Sequence, residues 1–331
     1  MSKGYTAIQI GESTIKMVQV SDGKAVKTVL EATPDNLVRD GHILSFEALA
    51  EILKSMARDN QMRNRNAVVV LPLENCYLRR TSMPYMTVDQ LKLNLPYEFR
   101  DYIHADREDY FYDYAVVGQE TDEAGEMKSL DLLIAAVKNE LIEKYMKILT
   151  FAGFKLKIAL PDACAFRNII RQYEENNEEH PAAYCIVDLG HSSIRVHLYN
   201  GSVYETTRVI EYGGVTLDSL IAEEMDVDVH IASSYKVKNY NQVQELEACK
   251  EIYDKMIVEL FRSINFYNYN NPDSELKDIY FCGGLAKITP FMDMVRSALE
   301  VRCHTIGELM EEAEQDDTLE LICAAIGATL Q

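Results

Sequence analysis

Alternating apolar and polar positions open the chain and predict three short strands within residues 5–33. A glycine turn separates the first two strands, and Asp22-Gly23 is typical of the hairpin turn before the third. A helical spacing of apolar residues begins at Ser45, and strand and helix patterns alternate along the rest of the chain. This mixture predicts an α/β fold.

A polar, acidic run at residues 174–181 interrupts these patterns near the middle of the chain. The composition, 47% hydrophobic and 26% charged, is that of a folded globular protein. With 331 residues the chain is longer than one hydrophobic core usually serves, so we expect two domains that meet at this run.

A short motif occurs twice, once near the start of each half. Residues 9–17 (QIGESTIKM) match residues 188–196 (DLGHSSIRV): an apolar strand, a glycine corner, two hydroxyl side chains and a second strand. A further turn follows each copy, Asp22-Gly23 and Asn200-Gly201. Either copy alone would be an ordinary turn, but two matched copies predict a duplicated fold.

Phosphate binding is the chemistry that suits such a corner. Glycine lets backbone N–H groups approach an oxyanion, and hydroxyl groups add donors. Two more glycine corners, at Gly213 and Gly283, suit an anion and a flat base or sugar. The alternatives are that Asp188 only caps a turn and that His191 is a solvated loop tip. The candidate nucleotide-binding residues are Gly11, Ser13, Thr14, Lys16, Asp188, Gly190, His191, Ser192, Ser193, Gly213, Gly214, Lys236, Gly283 and Gly284.

Charge and cysteine usage exclude several classes of protein. The net charge of −20 disfavours nucleic-acid binding, which draws on clustered Lys and Arg. The seven cysteines form no Cys-x-x-Cys pair, which is typical of reduced thiols in a cytoplasmic protein. The first residues lack a signal-peptide pattern, and no apolar run approaches the roughly 20 residues of a membrane span.

Together these motifs resemble the actin-like ATPase superfamily. The likeness places phosphate loops at residues 9–16 and 188–195, a connecting helix at residues 161–163 and an adenosine corner at Gly283-Gly284. Within that superfamily the chain is similar, over nearly its whole length, to the PilM family of type IV pilus assembly proteins, kin to FtsA. Further segments that carry the likeness are residues 68–72, 83–86, 95–99, 135–138, 152–155 and 231–236.

The resemblance implies an actin-like (ribonuclease H-like) duplicated fold with two lobes, four subdomains and a nucleotide-sized cleft. One subdomain is then an insertion in a position unlike that in actin. The implied subdomains are 1A at residues 1–83 and 159–180, 1C at 84–158, 2A at 181–212 and 278–331, and 2B at 213–277.

One position of the first loop departs from the superfamily pattern. Gln9 stands where the superfamily has an Asp that helps to hold Mg²⁺, and a neutral amide cannot neutralise a dication. Glu12 replaces a small hydroxyl residue, and a carboxylate about 5 Å from a phosphate oxygen would cost roughly 3 kcal/mol. We therefore expect that hydrolysis is lost. Two alternatives follow: ATP binds with Mg²⁺ held by Asp188, or no nucleotide binds.

The resemblance also implies a partner. PilM proteins are cytoplasmic adaptors that grip the N-terminal tail of the inner-membrane protein PilN, which aligns them with the pilus motor ATPase and brings them to the inner face of the membrane. A groove between the first large subdomain and the 84–158 insertion would take this tail. Its candidate lining residues are Leu93, Tyr97 and Phe99, and the alternative is that these side chains belong to the core.

Two other functions on the same fold compete with an adaptor. An FtsA-like membrane anchor and filament former needs a basic amphipathic tail, but residues 324–331 have no cationic face. A sugar kinase needs the first-loop carboxylate, so Gln9 argues against it. We expect contact with the membrane only through partners.

Overall fold

The structure is a computed structural model that describes residues 4–272, 274–310 and 318–330. The strands are β1 (Tyr5–Ile10), β2 (Thr14–Ser21), β3 (Lys24–Ala32), β4 (Val38–Arg39), β5 (His42–Ile43), β6 (Asn66–Leu71), β7 (Tyr77–Pro84), β8 (Tyr110–Thr121), β9 (Met127–Lys138), β10 (Lys155–Pro161), β11 (Ala183–Leu189), β12 (Ile194–Asn200), β13 (Val203–Ile210), β14 (Asp278–Cys282) and β15 (Arg302–Thr305). The helices are α1 (Phe46–Asp59), α2 (Val88–Glu98), α3 (Asn139–Phe151), α4 (Asp162–Asn176), α5 (Gly214–Met225), α6 (Val229–Lys238), α7 (Glu247–Asn270), α8 (Thr289–Ala298) and α9 (Leu319–Gly327).

The chain forms two compact units. The first contains residues 1–165, 203–205 and 324–331, and the second contains residues 166–202 and 206–323. The finer division into four subdomains stays a prediction. Within it, residues 1–3 of 1A, residue 273 of 2B, and residues 311–317 and 331 of 2A lie outside the described residues. No helix in the described part of the chain combines the length and apolarity that a bilayer span requires.

A five-stranded sheet in the order β10-β6-β1-β2-β3 centres the first unit. β1, β2 and β3 pair antiparallel, and the hairpin turn has positive φ at Asp22 and Gly23, as a twisted two-residue turn requires. β6 pairs parallel with β1 and β10, and its run of buried apolar residues suits a central parallel strand. Side chains of α1 and α3, among them Leu53 and Tyr145, cover this sheet.

The sheet of the second unit repeats this arrangement in the order β13-β12-β11-β14-β15. β11 pairs antiparallel with β12 and parallel with β14, as β1 does with β2 and β6. Even the register at the corners matches: Gln9 lies opposite Lys16, and Asp188 lies opposite Arg195. The duplication that nine residues of sequence indicated therefore extends to both five-stranded sheets.

A three-stranded sheet, β7-β9-β8, packs with α2 around a core of its own in the first unit. Thr87 caps α2 in a capping box with Gln90, as its sequence predicts. The helix continues through Pro96 and ends two residues later, at Glu98. Pro96 has no backbone N–H to donate to the carbonyl four residues earlier, which is consistent with the helix ending shortly after it.

Candidate functional site

The first glycine corner is closed by backbone hydrogen bonds. The N–H of Gly11 donates to the carbonyl of Thr14 across 3.1 Å. Thr33, which follows β3, donates its hydroxyl to the carbonyl of Gly11 at 2.7 Å and its N–H to the carbonyl of Ser13 at 3.0 Å. A side chain at Gly11 would lie 3.1 Å from the Thr14 carbonyl oxygen, so glycine suits this turn.

Two side chains set the charge of this first loop. The ammonium of Lys16 donates to the side-chain oxygen of Gln9 at 3.3 Å. The carboxylate of Glu12 accepts a hydrogen bond from the backbone N–H of Gly41 at 3.1 Å, in the turn between β4 and β5. The acidic side chain that the sequence placed in the loop is thus engaged by the neighbouring turn.

The second corner has the same geometry and a further layer of support. The N–H of Gly190 donates to the carbonyl of Ser193 at 3.1 Å, the counterpart of the bond made by Gly11. The start of α5 then packs on this loop: the N–H of Gly214 donates to the carbonyl of Gly190 at 3.1 Å. A Cβ on Gly213 would lie 2.3 Å from the carbonyl oxygen of His191, which leaves room only for glycine.

A buried ion pair stands next to this second corner. The ammonium of Lys236 lies 2.8 Å from the carboxylate of Asp218 and donates to the carbonyl of Gly214 at 2.9 Å. His191 Nδ1 lies 3.9 Å from the same carboxylate. Burial lowers the pKa of Lys236, and the hydrogen bond and charge of Asp218 oppose that shift. Lys236 therefore supports the loop through Asp218 and Gly214.

Asp218 is a site residue that sequence reasoning missed. It lies on α5 next to Leu217 and within one helical turn of Ile221, and all three are buried. An acidic residue on the apolar side of a predicted helix was the available signal, because a buried carboxylate needs a charged partner. The sequence offered no way to identify Lys236, on α6, as that partner.

The third corner brings Gly283 against the start of the second loop. Its φ of +88° favours glycine, and a Cβ there would lie 2.5 Å from the carbonyl oxygen of Leu189 and 2.7 Å from Asp188 Oδ1. Its N–H donates to the carbonyl of Glu320 at 2.9 Å. Gly284 is exposed, and a Cβ added to it would have open space, with no atom within 4 Å.

The predicted nucleotide residues thus fall into two groups. Gly11, Ser13, Thr14 and Lys16 share the corner after β1 in the first unit. In the second unit the corners after β11 and β14 and at the start of α5 come together. That both groups face one cleft stays a prediction. The residues of the second group are Asp188, Gly190, His191, Ser192, Ser193, Gly213, Gly214, Lys236, Gly283 and Gly284.

A magnesium ion does not fit the side chains of the first loop. Gln9 supplies a neutral oxygen that already accepts from the Lys16 ammonium, and the Glu12 carboxylate is engaged by Gly41. Within the described ranges no three His, Cys, Asp or Glu side chains are grouped so as to hold a metal. Asp188 in the second unit is the carboxylate that the sequence offered for this role.

The three predicted groove residues separate by exposure. Leu93 and Tyr97 lie four residues apart on α2 and expose 73% and 57% of their surface. The guanidinium of Arg107 lies 4.1 Å from the ring centre of Tyr97. Phe99 is 1% exposed and belongs to the core between α2 and the three-stranded sheet. Of the two interpretations, groove lining and core packing, Phe99 therefore fits core packing.

Comparison with known proteins agrees with this geometry. A family model described as type IV pilus assembly protein PilM matches residues 7–319. The chain is also similar to a solved PilM-PilN type IV pilus biogenesis complex, with 21% identity and a TM-score of 0.80 over 98% of this chain and 97% of that one. No curated protein matches the chain in sequence.

Two other solved structures share the fold at lower similarity. Ethanolamine utilization protein EutJ from Carboxydothermus hydrogenoformans has 13% identity and a TM-score of 0.61, covering 98% of this chain and 89% of that one. MreB 5 of Spiroplasma citri bound to AMPPNP has 12% identity and a TM-score of 0.51, covering 99% and 95%. The predicted actin-like fold is thereby confirmed.

Proposed function

The chain belongs to the PilM family of type IV pilus assembly proteins, and on that premise we propose that it is an adaptor that binds the N-terminal tail of PilN. The likeness to a PilM-PilN complex over 98% of the chain is the observation that supports this proposal. The proposed location is the cytoplasmic face of the inner membrane, where PilN would hold the chain. The pilus motor ATPase is a second proposed partner.

The proposed binding surface lies on the part of the first unit built from α2 and the three-stranded sheet. Leu93 and Tyr97 present apolar surface that an extended peptide can cover. β8 pairs with β9 along one edge, and no strand of the described chain pairs with its other edge over its 12 residues. α2 contacts β8, and apolar anchors on an element next to an open strand edge suit an extended peptide.

Titration of a fluorescently labelled PilN tail peptide against the full chain tests this proposal. We expect the double variant Leu93→Ser/Tyr97→Ser to bind at least about tenfold more weakly than the wild type, because two apolar anchors each contribute roughly 1 kcal/mol or more. Val237→Ser, which changes a 76%-exposed side chain on α6 of the second unit, serves as the matched control. Equal affinity of the double variant and the control would refute the surface, and no binding by the wild type would refute the partner.

We further propose that the glycine corners hold the phosphates of ATP and that hydrolysis is lost. The matched hydrogen bonds at Gly11 and Gly190, both 3.1 Å, support a shared role for the two loops. Gln9 in place of a carboxylate supports the loss of hydrolysis, because a metal that stabilises phosphoryl transfer needs acidic ligands. Measuring nucleotide retained by freshly purified protein, and phosphate release over time, tests both parts.

A further inference from the structure

The two loops differ in charge at one matched position. In each hairpin the last residue but one of the first strand lies opposite a cation on the second strand: Gln9 opposite Lys16, and Asp188 opposite Arg195. Side chains directly opposite one another on antiparallel strands share a face of the sheet and lie within reach of each other. The acid in the second loop can offset its cation, whereas the amide in the first loop cannot.

The geometry of the first loop keeps the charge of Lys16 available to a ligand. Its ammonium lies 3.3 Å from the Gln9 oxygen, a neutral acceptor that orients the ammonium without cancelling its charge. The Lys16 residue is half-buried, so solvent screens this charge less than it screens an exposed one. A magnesium ion beside the same oxygen would face a positive charge at close range.

The remaining acid of the loop does not restore a metal site. The Glu12 carboxylate accepts the Gly41 N–H at 3.1 Å, which draws it towards the turn between β4 and β5. Asp188, the carboxylate in the other unit, has Arg195 as its register partner. Each position where an acid would help to hold a dication therefore has a cation or another donor beside it.

We propose that this chain binds the phosphates of a nucleoside di- or triphosphate without magnesium, and that the Lys16 ammonium supplies the positive charge a metal would otherwise supply. This inference rests on the proposed nucleotide binding and names its charge requirement. Metal-free ATP carries more negative charge than Mg-ATP, so the Lys16 ammonium attracts it more strongly. Bound magnesium would therefore not increase the affinity of this site for ATP. Gln9 is the residue that sets this preference, because a carboxylate in its place would pair with Lys16.

Calorimetric titration of ATP into the full chain, in excess EDTA and in excess MgCl2, tests the inference. For the wild type we expect ATP to bind in EDTA at least as tightly as in MgCl2, because the charge of Lys16 does not need the metal. Lys16→Met should weaken binding at least about tenfold in both, Lys16→Arg should retain it, and Lys24→Met, which removes a lysine from the β2–β3 hairpin, should leave it unchanged. Gln9→Asp should lose about tenfold in EDTA and recover with magnesium.

The outcomes separate this inference from the proposal on which it rests. Wild-type binding that requires magnesium would overturn the inference and leave nucleotide binding in place. No binding in either condition would overturn both, while the PilN titration would still judge the adaptor role. Retained binding by Lys16→Met, with circular dichroism showing a folded variant, would overturn the assignment of the charge to Lys16.

Discussion

An Asp218→Asn substitution keeps the size of the side chain and removes the charge that pairs with Lys236. The two side chains expose 2% and 9% of their surface and lie 2.8 Å apart, so neither charge can turn to water. Removing one partner of a buried ion pair costs about 3–5 kcal/mol. Lys236 keeps its hydrogen bond to the Gly214 carbonyl, and burial already lowers its pKa, so it can lose its proton more easily. We therefore expect about 3 kcal/mol, the lower end of that range.

Thermal and urea unfolding, followed by circular dichroism, measure this cost. For a unit of this size, about 3 kcal/mol corresponds to a fall in midpoint of roughly 6–12 °C. Lys236→Met provides the second arm of a double-mutant cycle, and the double variant should cost at least about 2 kcal/mol less than the sum of the single variants. A loss below about 1 kcal/mol for Asp218→Asn, or strictly additive costs, would refute the buried pair as the support of the second loop.

Two further predictions concern the second unit. Burial, the larger cause, and the nearby charge of Arg195, the smaller one, lower the pKa of His197 in the folded chain to about 3 from 6.5. As the pH falls, His197 therefore takes up its proton in the unfolded chain before it does so in the folded chain. Protonation of this group therefore lowers the free energy of unfolding by roughly 2.7 kcal/mol between pH 7.5 and pH 4.5. In urea unfolding at the two pH values, His197→Gln should lose less stability than the wild type by about that amount. Equal pH dependence of the two proteins would contradict this. Gly283→Ala should lower the free energy of unfolding by about 2–4 kcal/mol, because its Cβ would clash with the Leu189 carbonyl. Gly284→Ala, whose Cβ has open space, should lower it by under about 1 kcal/mol. Equal losses of the two variants in urea unfolding would contradict this.

The duplication was the part of the fold that the sequence carried most clearly. A glycine corner and its two flanking strands leave a local signal, because the turn needs glycine and the strands alternate in polarity. The nine-residue match at Gly11 and Gly190 was enough to predict two related halves, and the sheet orders and strand registers agree. No local pattern in the sequence indicates that β6 pairs with β1 or that β14 pairs with β11.

Contacts between residues far apart in sequence left no such signal. From the sequence alone, Lys236 was a candidate to bind a phosphate. Only the folded structure places the carboxylate of Asp218 at 2.8 Å from its ammonium. The three predicted groove residues lie close together in the sequence: Leu93 and Tyr97 on α2, and Phe99 directly after the helix. Which of them faces the core depends on the strands packed against the helix. Spacing identified the helix, and packing decided the exposure of each side chain.

Hydrogen exchange of the full chain, with and without a saturating PilN tail peptide, tests the adaptor role most directly. We expect slower exchange in the peptides that cover α2 and β8, with unchanged exchange in α6 of the second unit. Unchanged exchange throughout residues 88–121 with a bound tail would refute this surface, and a saturating tail peptide that changes exchange nowhere in the chain would refute the adaptor role.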